Sequence, residues 1–297
     1  MPKKLLFGFV ADPAAHFDLE AETTLFLMRE IERLGHSVFF CEPKDLFLKQ
    51  NEVWAKNLNL KKLDCLFLRK DPPFDLAYLH HLYLLAKLRG KVLMVNDPLA
   101  IMEHNEKLSA LDFPFAPKTL VSSDKRQIAD WARRQKQGVV LKPLNLSGGR
   151  GIRRIKRSSV FGSCLSGRQV RFSVKGPVIC QEFLAAAKKG DKRILIWNGN
   201  ILGAFLRVPK AGEFRANLHQ GGKFVATMLT PREIKIAKTV GRWAKKQGLY
   251  FIGLDVIGGF LTEINMTSVM GIREVNVLYG KQVEKKIVGD ILRRVSS

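Results

Sequence analysis

The first hundred residues alternate between a strand period and a helix period, and that alternation limits the fold more than any other feature of the chain. "KLLFGFVA" (4–11) and "HSVFFCEP" (36–43) are apolar runs of strand length, separated by "EAETTLFLMREIERLG" (20–35), which is amphipathic at helical spacing and stops at Gly35. "LDCLFLRKDPP" (63–73), "AYLHHLYLLAKLRG" (77–90) and "KVLMVNDP" (91–98) repeat strand, helix, strand. Strands joined through helices pair in parallel, so this rhythm predicts a doubly wound α/β sheet with helices on both faces. Ligands of such sheets collect beyond the carboxyl ends of the strands. "ADP" (11–13), "RKDPPFD" (69–75) and "NDP" (96–98) all fall at that rim.

The rest of the chain has a different rhythm. From Glu106-Lys107 a small α/β unit is expected, with "DKRQIADWARRQ" (124–135) as a helix and "GVVLKPL" (138–144) and "GIRRIKR" (151–157) as strands around a glycine-rich turn. "KRILIWNGNILGAFLRV" (192–208) reads as an antiparallel hairpin, because Asn-Gly suits the two left-handed positions of a tight turn. A loop (209–223), a helix from Pro231 to Gly248, a hairpin over 253–265 and a C-terminal helix over 280–295 complete an α+β half. The expected units are residues 1–105, 106–185 and 186–297.

Charge and composition narrow the function. No run approaches the roughly 20 apolar residues that a membrane span needs. The basic start "MPKKLLFGFVADP" ends in Asp12-Pro13 without a small-residue cleavage site, so it reads as a first strand. Cys41, Cys65, Cys164 and Cys180 form no C-x-x-C pair, which leaves no disulfide or zinc framework and points to a reducing cytoplasm. The net charge is +23, and no acidic residue stands between Asp130 and Glu182. Such a field attracts polyanions, a nucleotide triphosphate or a nucleic acid. Only Trp131, Phe161 and Phe172 interleave that stretch, too few for a single-strand stacking platform, so no specific nucleic-acid partner is expected. The plainer alternative is a solvated basic surface.

The sharpest chemistry is in "GLDVIGGFLTEIN" (253–265), where Asp255, Glu263 and Asn265 interrupt two apolar runs. Glu263 and Asn265 share one strand face. A two-residue Gly258-Gly259 loop would set Asp255 opposite Thr262, whereas a three-residue loop, Gly258-Gly259-Phe260, sets it opposite Glu263 and gathers all three oxygen ligands. Two buried carboxylates repel and are costly unless a cation sits between them. Hard oxygen donors without His or Cys point to Mg²⁺ or Mn²⁺. "VVLKPLNLSGGRGI" (139–152) offers a lysine, Lys142, on an apolar strand, followed by a turn with Ser147, Gly148 and Gly149 whose backbone N–H groups can approach phosphate. It is not a Walker A loop, and a plain hairpin turn is the competing reading. Arg193, Arg207 and Arg215 suit bidentate grip on phosphate or carboxylate. "TSVMGIRE" (267–274) follows the acidic hairpin and sets Arg273 near a reacting anion.

In their order, "NEKL" (105–108), "LKPL" (141–144) with "SGG" (147–149), "GDKR" (190–193), and "GLD" followed by "EIN", "TS" and "IRE" resemble the ATP-grasp ligases. "RKDPPFD", with "ADP" near the start, is similar to the prokaryotic-type glutathione synthetases in particular, over essentially the whole chain. The resemblance implies an ATP-grasp fold preceded by a doubly wound substrate domain, the pre-ATP-grasp domain. It implies two ATP lysines, Lys107 and Lys142, and a lid loop at Ser147, Gly148 and Gly149. Glu182, Phe183 and Leu184 become the hinge that meets adenine and ribose, with Asp191 and Asn217 as further ATP-side groups. Asp255, Glu263 and Asn265 match magnesium ligands. Arg193, Arg207, Arg215 and Arg273 match positions around the triphosphate and the substrate carboxylates, and Arg69, Asp71, Ser268 and Gly271 match the substrate side.

The implied reaction joins γ-glutamylcysteine to glycine. ATP phosphorylates the cysteinyl carboxylate, and the glycine amine then displaces phosphate. Family members commonly form homotetramers. Three departures stand out: Val269-Met270 where Pro-Thr is usual, Asn145-Leu146 where Asp-Gly is typical, and Ala216 within an "RGN" triplet. The first lies where the amine acceptor is held, so a ligase with a different amine acceptor is the alternative expectation.

Overall fold

The computed structural model describes residues 3–157, 176–216 and 222–296. Strand β1 (Leu6–Ala11), helix α1 (Thr23–Arg33) and β2 (Ser37–Cys41) open the chain as expected. An antiparallel meander then intervenes: β3 (Leu46–Lys49), β4 (Glu52–Ala55) and β5 (Leu58–Asn59). The sequence reading passed over it because its turns carry no glycine; Gln50, Asn51 and Lys56 themselves take left-handed φ of 49°, 62° and 53°. Then come β6 (Cys65–Arg69), α2 (Leu76–Ala86), β7 (Leu93–Val95) and α3 (Pro98–Glu103). The first sheet is parallel, in the order β2-β1-β6-β7.

The lid contains β8 (Thr119–Ser122), α4 (Lys125–Arg133), β9 (Val139–Pro143), β10 (Arg153–Ile155) and β11 (Val178–Glu182). Its sheet is antiparallel, ordered β10-β9-β11-β8. The last third builds a five-stranded antiparallel sheet, β14-β13-β12-β15-β16. Its strands are β12 (Asp191–Trp197), β13 (Asn200–Val208), β14 (Lys223–Ala226), β15 (Phe251–Ile257) and β16 (Phe260–Asn265), with α5 (Pro231–Lys246) between β14 and β15. Asn198 and Gly199 turn the β12–β13 hairpin with φ of 48° and 81°. A Cβ at Gly241 of α5 would meet the Gly199 carbonyl oxygen at 2.7 Å, so helix and turn pack without room for a side chain. Helix α6 (Ile272–Tyr279), not expected from the sequence, starts at Gly271 and ends at the left-handed Gly280; α7 (Val283–Val295) follows.

The first and last thirds share their cores. Phe7, Phe9 and Phe67 pack with Leu27 and Ile31 of α1, Ile287 and Ile291 of α7, and Leu195 and Phe251 of the last sheet. Val10, Leu66 and Leu68 face α2 on the other side of the first sheet, and their cluster runs into Ile194, Ile252 and Leu254. The C-terminal helix therefore closes one face of the N-terminal sheet. Asn96, at the carboxyl end of β7, binds the two thirds through polar contacts. Its Nδ2 donates to the Phe251 and Met266 carbonyls at 2.7 Å each, and its Oδ1 accepts from the Phe251 N–H at 2.8 Å. Asn96→Ala strands three buried backbone groups and is expected to cost about 3 kcal/mol or more. Thermal unfolding should then show a midpoint roughly 6–12 °C lower.

Candidate active site

The hairpin β15–β16 sets Asp255 directly opposite Glu263, and Asn265 opposite Gly253. The expected pairing is therefore present, but the loop that produces it is not the expected one. The turn is the two-residue Gly258-Gly259, with φ of 56° and 77°, so Ile257 faces Phe260 and Val256 faces Leu261. A bulge then absorbs Thr262 and moves Glu263 into register with Asp255. The Thr262 hydroxyl donates to the Asp255 carbonyl at 3.0 Å, which gives the bulge a fixed geometry.

The neighbouring strands supply guanidinium groups. Arg193 on β12 lies opposite Asp255, and Arg207 on β13 lies opposite Asp191. Arg193 Nε and Nη2 reach the two Asp255 oxygens at 2.7 and 3.3 Å, and Arg207 Nη2 reaches Oδ1 at 2.9 Å while its Nε donates to Asp191. Burial favours the neutral acid, but Arg193 and Arg207 outweigh it and hold the Asp255 carboxyl well below the usual carboxylate range. At Asp191 burial prevails over Arg207, and the carboxyl is pushed up.

The lysines approach from the lid side. Lys107 Nζ lies 3.1 Å from Glu263 Oε1 and donates to the Leu146 carbonyl at 2.6 Å. Lys142, on β9, donates to Gln181 Oε1 at 2.8 Å; its burial lowers its proton affinity, with Glu263 opposing that shift. Glu106, beside Lys107, was not singled out from the sequence. Its Oε1 accepts from the Met266 N–H (2.9 Å), the Thr267 N–H (3.2 Å) and the Thr267 hydroxyl (2.9 Å), and its burial pushes its pKa up. It pins the lid entrance to the end of the acidic hairpin.

The lid turn is docked on the N-terminal rim. The Phe74 N–H donates to the Asn145 carbonyl and Arg150 Nη2 to the Pro72 carbonyl, both at 2.9 Å, which joins the turn to "RKDPPFD". Ser147 caps the turn by accepting from the Arg150 N–H at 3.2 Å. Gly148 and Gly149 take φ of 65° and 72°, and the Arg215 side chain passes 3.9 Å from where a Gly149 Cβ would stand. At the hinge, Glu182 Oε1 accepts from the Lys118 N–H at 3.0 Å, Phe183 is buried, and Leu184 leads into a short helical turn over 185–189. Asn217 lies outside the described residues.

Arg69 occupies the N-terminal rim with its guanidinium fully engaged. It donates to Thr24 Oγ1 (3.1 Å) and the Val269 carbonyl (3.0 Å), and it approaches Glu22 Oε1 (3.4 Å) and Met270 Sδ (3.8 Å). Arg193 Nη1 donates to the Met270 carbonyl at 3.3 Å. Asp71 is exposed at the rim, and its carboxyl bonds to Ser268. Gly271 takes φ of 137°, and a Cβ there would meet Phe205 at 2.9 Å. Arg273 stands apart from the Asp255 cluster: its nearest carboxylate is Glu20 at 3.6 Å, and it lies 5.7 Å over Phe224.

Asp255, Glu263 and Asn265 fit a hard divalent cation. All three offer oxygen on one ribbon face, Asp255 is held ionised, and the Asn265 amide nitrogen is tied to the Gly253 carbonyl at 3.1 Å, which leaves its oxygen as the donor atom. Among the described residues no group of three or more His, Cys, Asp or Glu is placed to hold a metal ion.

Solved structures share this architecture. D-cycloserine synthetase DcsG aligns over 98% of the chain and 99% of its own with a TM-score of 0.73 at 12% identity. The ATP-grasp ligase PsnB in complex with a minimal precursor does so over 98% and 99%, with a TM-score of 0.68 at 14% identity. The fold is ATP-grasp. The family models described as "Prokaryotic glutathione synthetase, ATP-grasp domain" and "Prokaryotic glutathione synthetase, N-terminal domain" match residues 106–280 and residues 5–59 with 55–101. Glutathione synthetase of Rhodopseudomonas palustris is 37% identical over 93% of this chain and 94% of its own. That of Bradyrhizobium diazoefficiens is 38% identical over 96% of each. The chain belongs to the prokaryotic glutathione synthetase family. It is an ATP-dependent ligase that joins γ-glutamylcysteine and glycine into glutathione, in a family of folds that use ATP with a divalent metal ion.

Replacing Asp255 by Asn leaves Arg193 and Arg207 buried beside a neutral group. A loss of about 3–5 kcal/mol is expected in denaturant unfolding near neutral pH. Because the folded pKa is depressed, the wild-type advantage is present above the unfolded value near 4 and is lost as pH falls towards the folded one. The gap between wild type and variant should therefore narrow in titrations carried below pH ~4.

Proposed function

We propose that glutathione is made here through an acylphosphate, with Mg²⁺, or Mn²⁺ by the same oxygen chemistry, held by Asp255, Glu263 and Asn265. The observation that carries this reading is the opposition of Asp255 and Glu263 across the hairpin, with Lys107 approaching from one side and Arg193 and Arg207 from the other. Carboxylates ranked beside cations in one buried floor suit a metal-bridged triphosphate better than a structural ion pair, which needs only one partner of each sign.

Lys107 and Lys142 take the phosphates, and the N–H groups of Ser147, Gly148 and Gly149 cover them. Glu182, Phe183 and Leu184 receive the base and ribose, with Asp191 and Asn217 as further nucleotide contacts. The divalent ion, when bound, neutralises charge on the transferring phosphoryl group. A cysteinyl carboxylate oxygen attacks the γ-phosphorus and ADP leaves. The amine nitrogen then attacks the acyl carbon, and the C–O bond to phosphate breaks. Arg193, Arg207, Arg215 and Arg273 stabilise the anions of these two steps, the tetrahedral oxyanion included. Docking of the lid turn on Pro72 and Phe74 supports exclusion of water from the acylphosphate.

Arg69, Asp71, Ser268 and Gly271 shape the side where γ-glutamylcysteine and the amine meet. Arg69 and Arg193 grip this segment through the carbonyls of Val269 and Met270. Backbone oxygens are supplied as well by Val-Met as by Pro-Thr, which supports retention of glycine as the acceptor. Family membership supports a cytoplasmic homo-oligomer. No helix among the described residues is long and apolar enough to cross a membrane.

With γ-glutamylcysteine labelled by ¹⁸O in its cysteinyl carboxylate, the released phosphate should carry the label; unlabelled phosphate sinks the acylphosphate route. Glu263→Gln should lower kcat by about 10²-fold or more. Glycine should stimulate phosphate release above other small amines, and stimulation by a different amine alone would transfer the assignment to that acceptor.

A further inference from the structure

Strand register fixes which lid side chains share the face of Lys142. Directly opposed residues of an antiparallel pair point to the same side. Val140 stands opposite Arg154 of β10 on one flank and opposite Gln181 of β11 on the other. Alternation adds Lys142, two residues beyond Val140, and Phe183, two beyond Gln181. The bond from Lys142 Nζ to Gln181 agrees with that count. Arg154 therefore belongs to the nucleotide-facing side of the lid.

Its surroundings are specific. The Arg154 guanidinium lies over the Phe183 ring with Cζ 3.5 Å from the centroid. Phe214, from the loop that also carries Arg215, meets the same ring edge-on at 5.9 Å and 77°. Val140, Phe183 and Ala187 form a small buried apolar cluster, on which Ile152, Phe214 and Ile257 pack. Strand β10, the end of β11, the loop that carries Arg215 and the end of the acidic hairpin thus converge on one slot. A flat cation on a flat ring, walled by aliphatic side chains, is an environment suited to a planar heterocycle. A second observation points the same way. Arg154 Nε is shut off from solvent and has no hydrogen-bond partner among the described residues. Buried donors are ordinarily satisfied, and one that is not calls for an acceptor brought from outside. A purine brings both ring-nitrogen acceptors and a π face.

We propose that Arg154 is a nucleotide-base contact: with its guanidinium held flat on the Phe183 ring, its in-plane Nε–H donates to a ring nitrogen of the purine of ATP. The inference rests on assigning the Glu182–Leu184 hinge to the base. It adds a residue that touches the base but neither the phosphates nor the metal, so its effect separates cleanly from that of the lysines.

The test is calorimetric binding of a non-hydrolysable ATP analogue and, separately, of inorganic triphosphate, to the full chain carrying Mg²⁺. Arg154→Ala should weaken the nucleotide analogue about tenfold, as loss of one hydrogen bond from a charged donor does. Its affinity for inorganic triphosphate should stay within about twofold of wild type, since that ligand has no base. Arg154→Lys keeps the charge without the plane and should resemble the alanine variant. An unchanged or tighter nucleotide affinity overturns the proposal, tighter binding marking the side chain as a plug that the base must displace. Equal losses for both ligands also overturn it, by making Arg154 a phosphate-side charge or a structural support. Phe183→Ala is measured alongside. If it leaves nucleotide binding intact, the hinge assignment itself falls; if it weakens binding while Arg154→Ala does not, only Arg154 is removed.

Discussion

The structure depends on how the charge of Asp255 is compensated. A carboxylate on a central strand, buried among Leu254, Val256 and their neighbours, would by itself oppose folding. Arg193 answers it from the adjacent strand, and Arg207 reaches it from one strand further. The three side chains form a row across β15, β12 and β13, and the row extends to Glu263 on β16 and Lys107 beyond it. Two guanidinium groups stand on one side of the paired carboxylates and an ammonium on the other, and Asp191 adds a third carboxylate beside Arg207, so the floor is close to charge balance before any ligand arrives. Rigid opposed charges are what phosphoryl transfer needs, because little covalent chemistry falls to the protein and positioning supplies most of the rate.

The same row ties the central unit to the N-terminal rim. Lys107 binds Glu263 on the floor and the Leu146 carbonyl in the lid turn, and the turn in turn bonds to Pro72 and Phe74 of the N-terminal rim. Glu106 anchors the residue before Lys107 to Met266 and Thr267. The segment that follows, Val269-Met270, is held from both sides by Arg69 and Arg193. The Leu146 turn, Glu263 and the Val269-Met270 segment are therefore linked through neighbouring polar contacts.

Much of this was legible in the sequence because strong local signals coincided. Asn198-Gly199 announced its hairpin, the first sheet followed from alternating periods, and the Asp255–Glu263 pairing followed from the need to gather oxygens. The route to that pairing was not legible. A bulge at Thr262 has no residue signature comparable to a glycine turn, so a three-residue loop was the simpler expectation. The meander over 46–59 escaped because its turns use Gln50, Asn51 and Lys56, whose left-handed backbones are stabilised by context alone. Helix α6 escaped because "TSVMGIRE" has too few residues to show a period. Glu106 and Arg154 escaped for a different reason: their roles follow from strand register and burial, which a linear pattern does not contain.

Register also shows where some of the basic residues between Asp130 and Glu182 point. Alternation sends Lys142 and Arg154 to the inner face, while α4 packs through Ile128 and Ala132 on the other, against Val139, Leu141, Val178 and Cys180. Arg150 is drawn to the N-terminal rim, and Arg154 to Phe183. At least three of the cations in the acid-free stretch are thus aimed inwards, at the turn, the hinge and the phosphate channel. A polyphosphate ligand adds negative charge to a floor that is already nearly neutral, and inward-facing lid cations are what offset it. Acidic residues placed among them would form competing ion pairs at the phosphate positions. Their absence between Asp130 and Glu182 leaves the inward-facing cations Lys142, Arg150 and Arg154 without an acidic neighbour in that stretch of sequence.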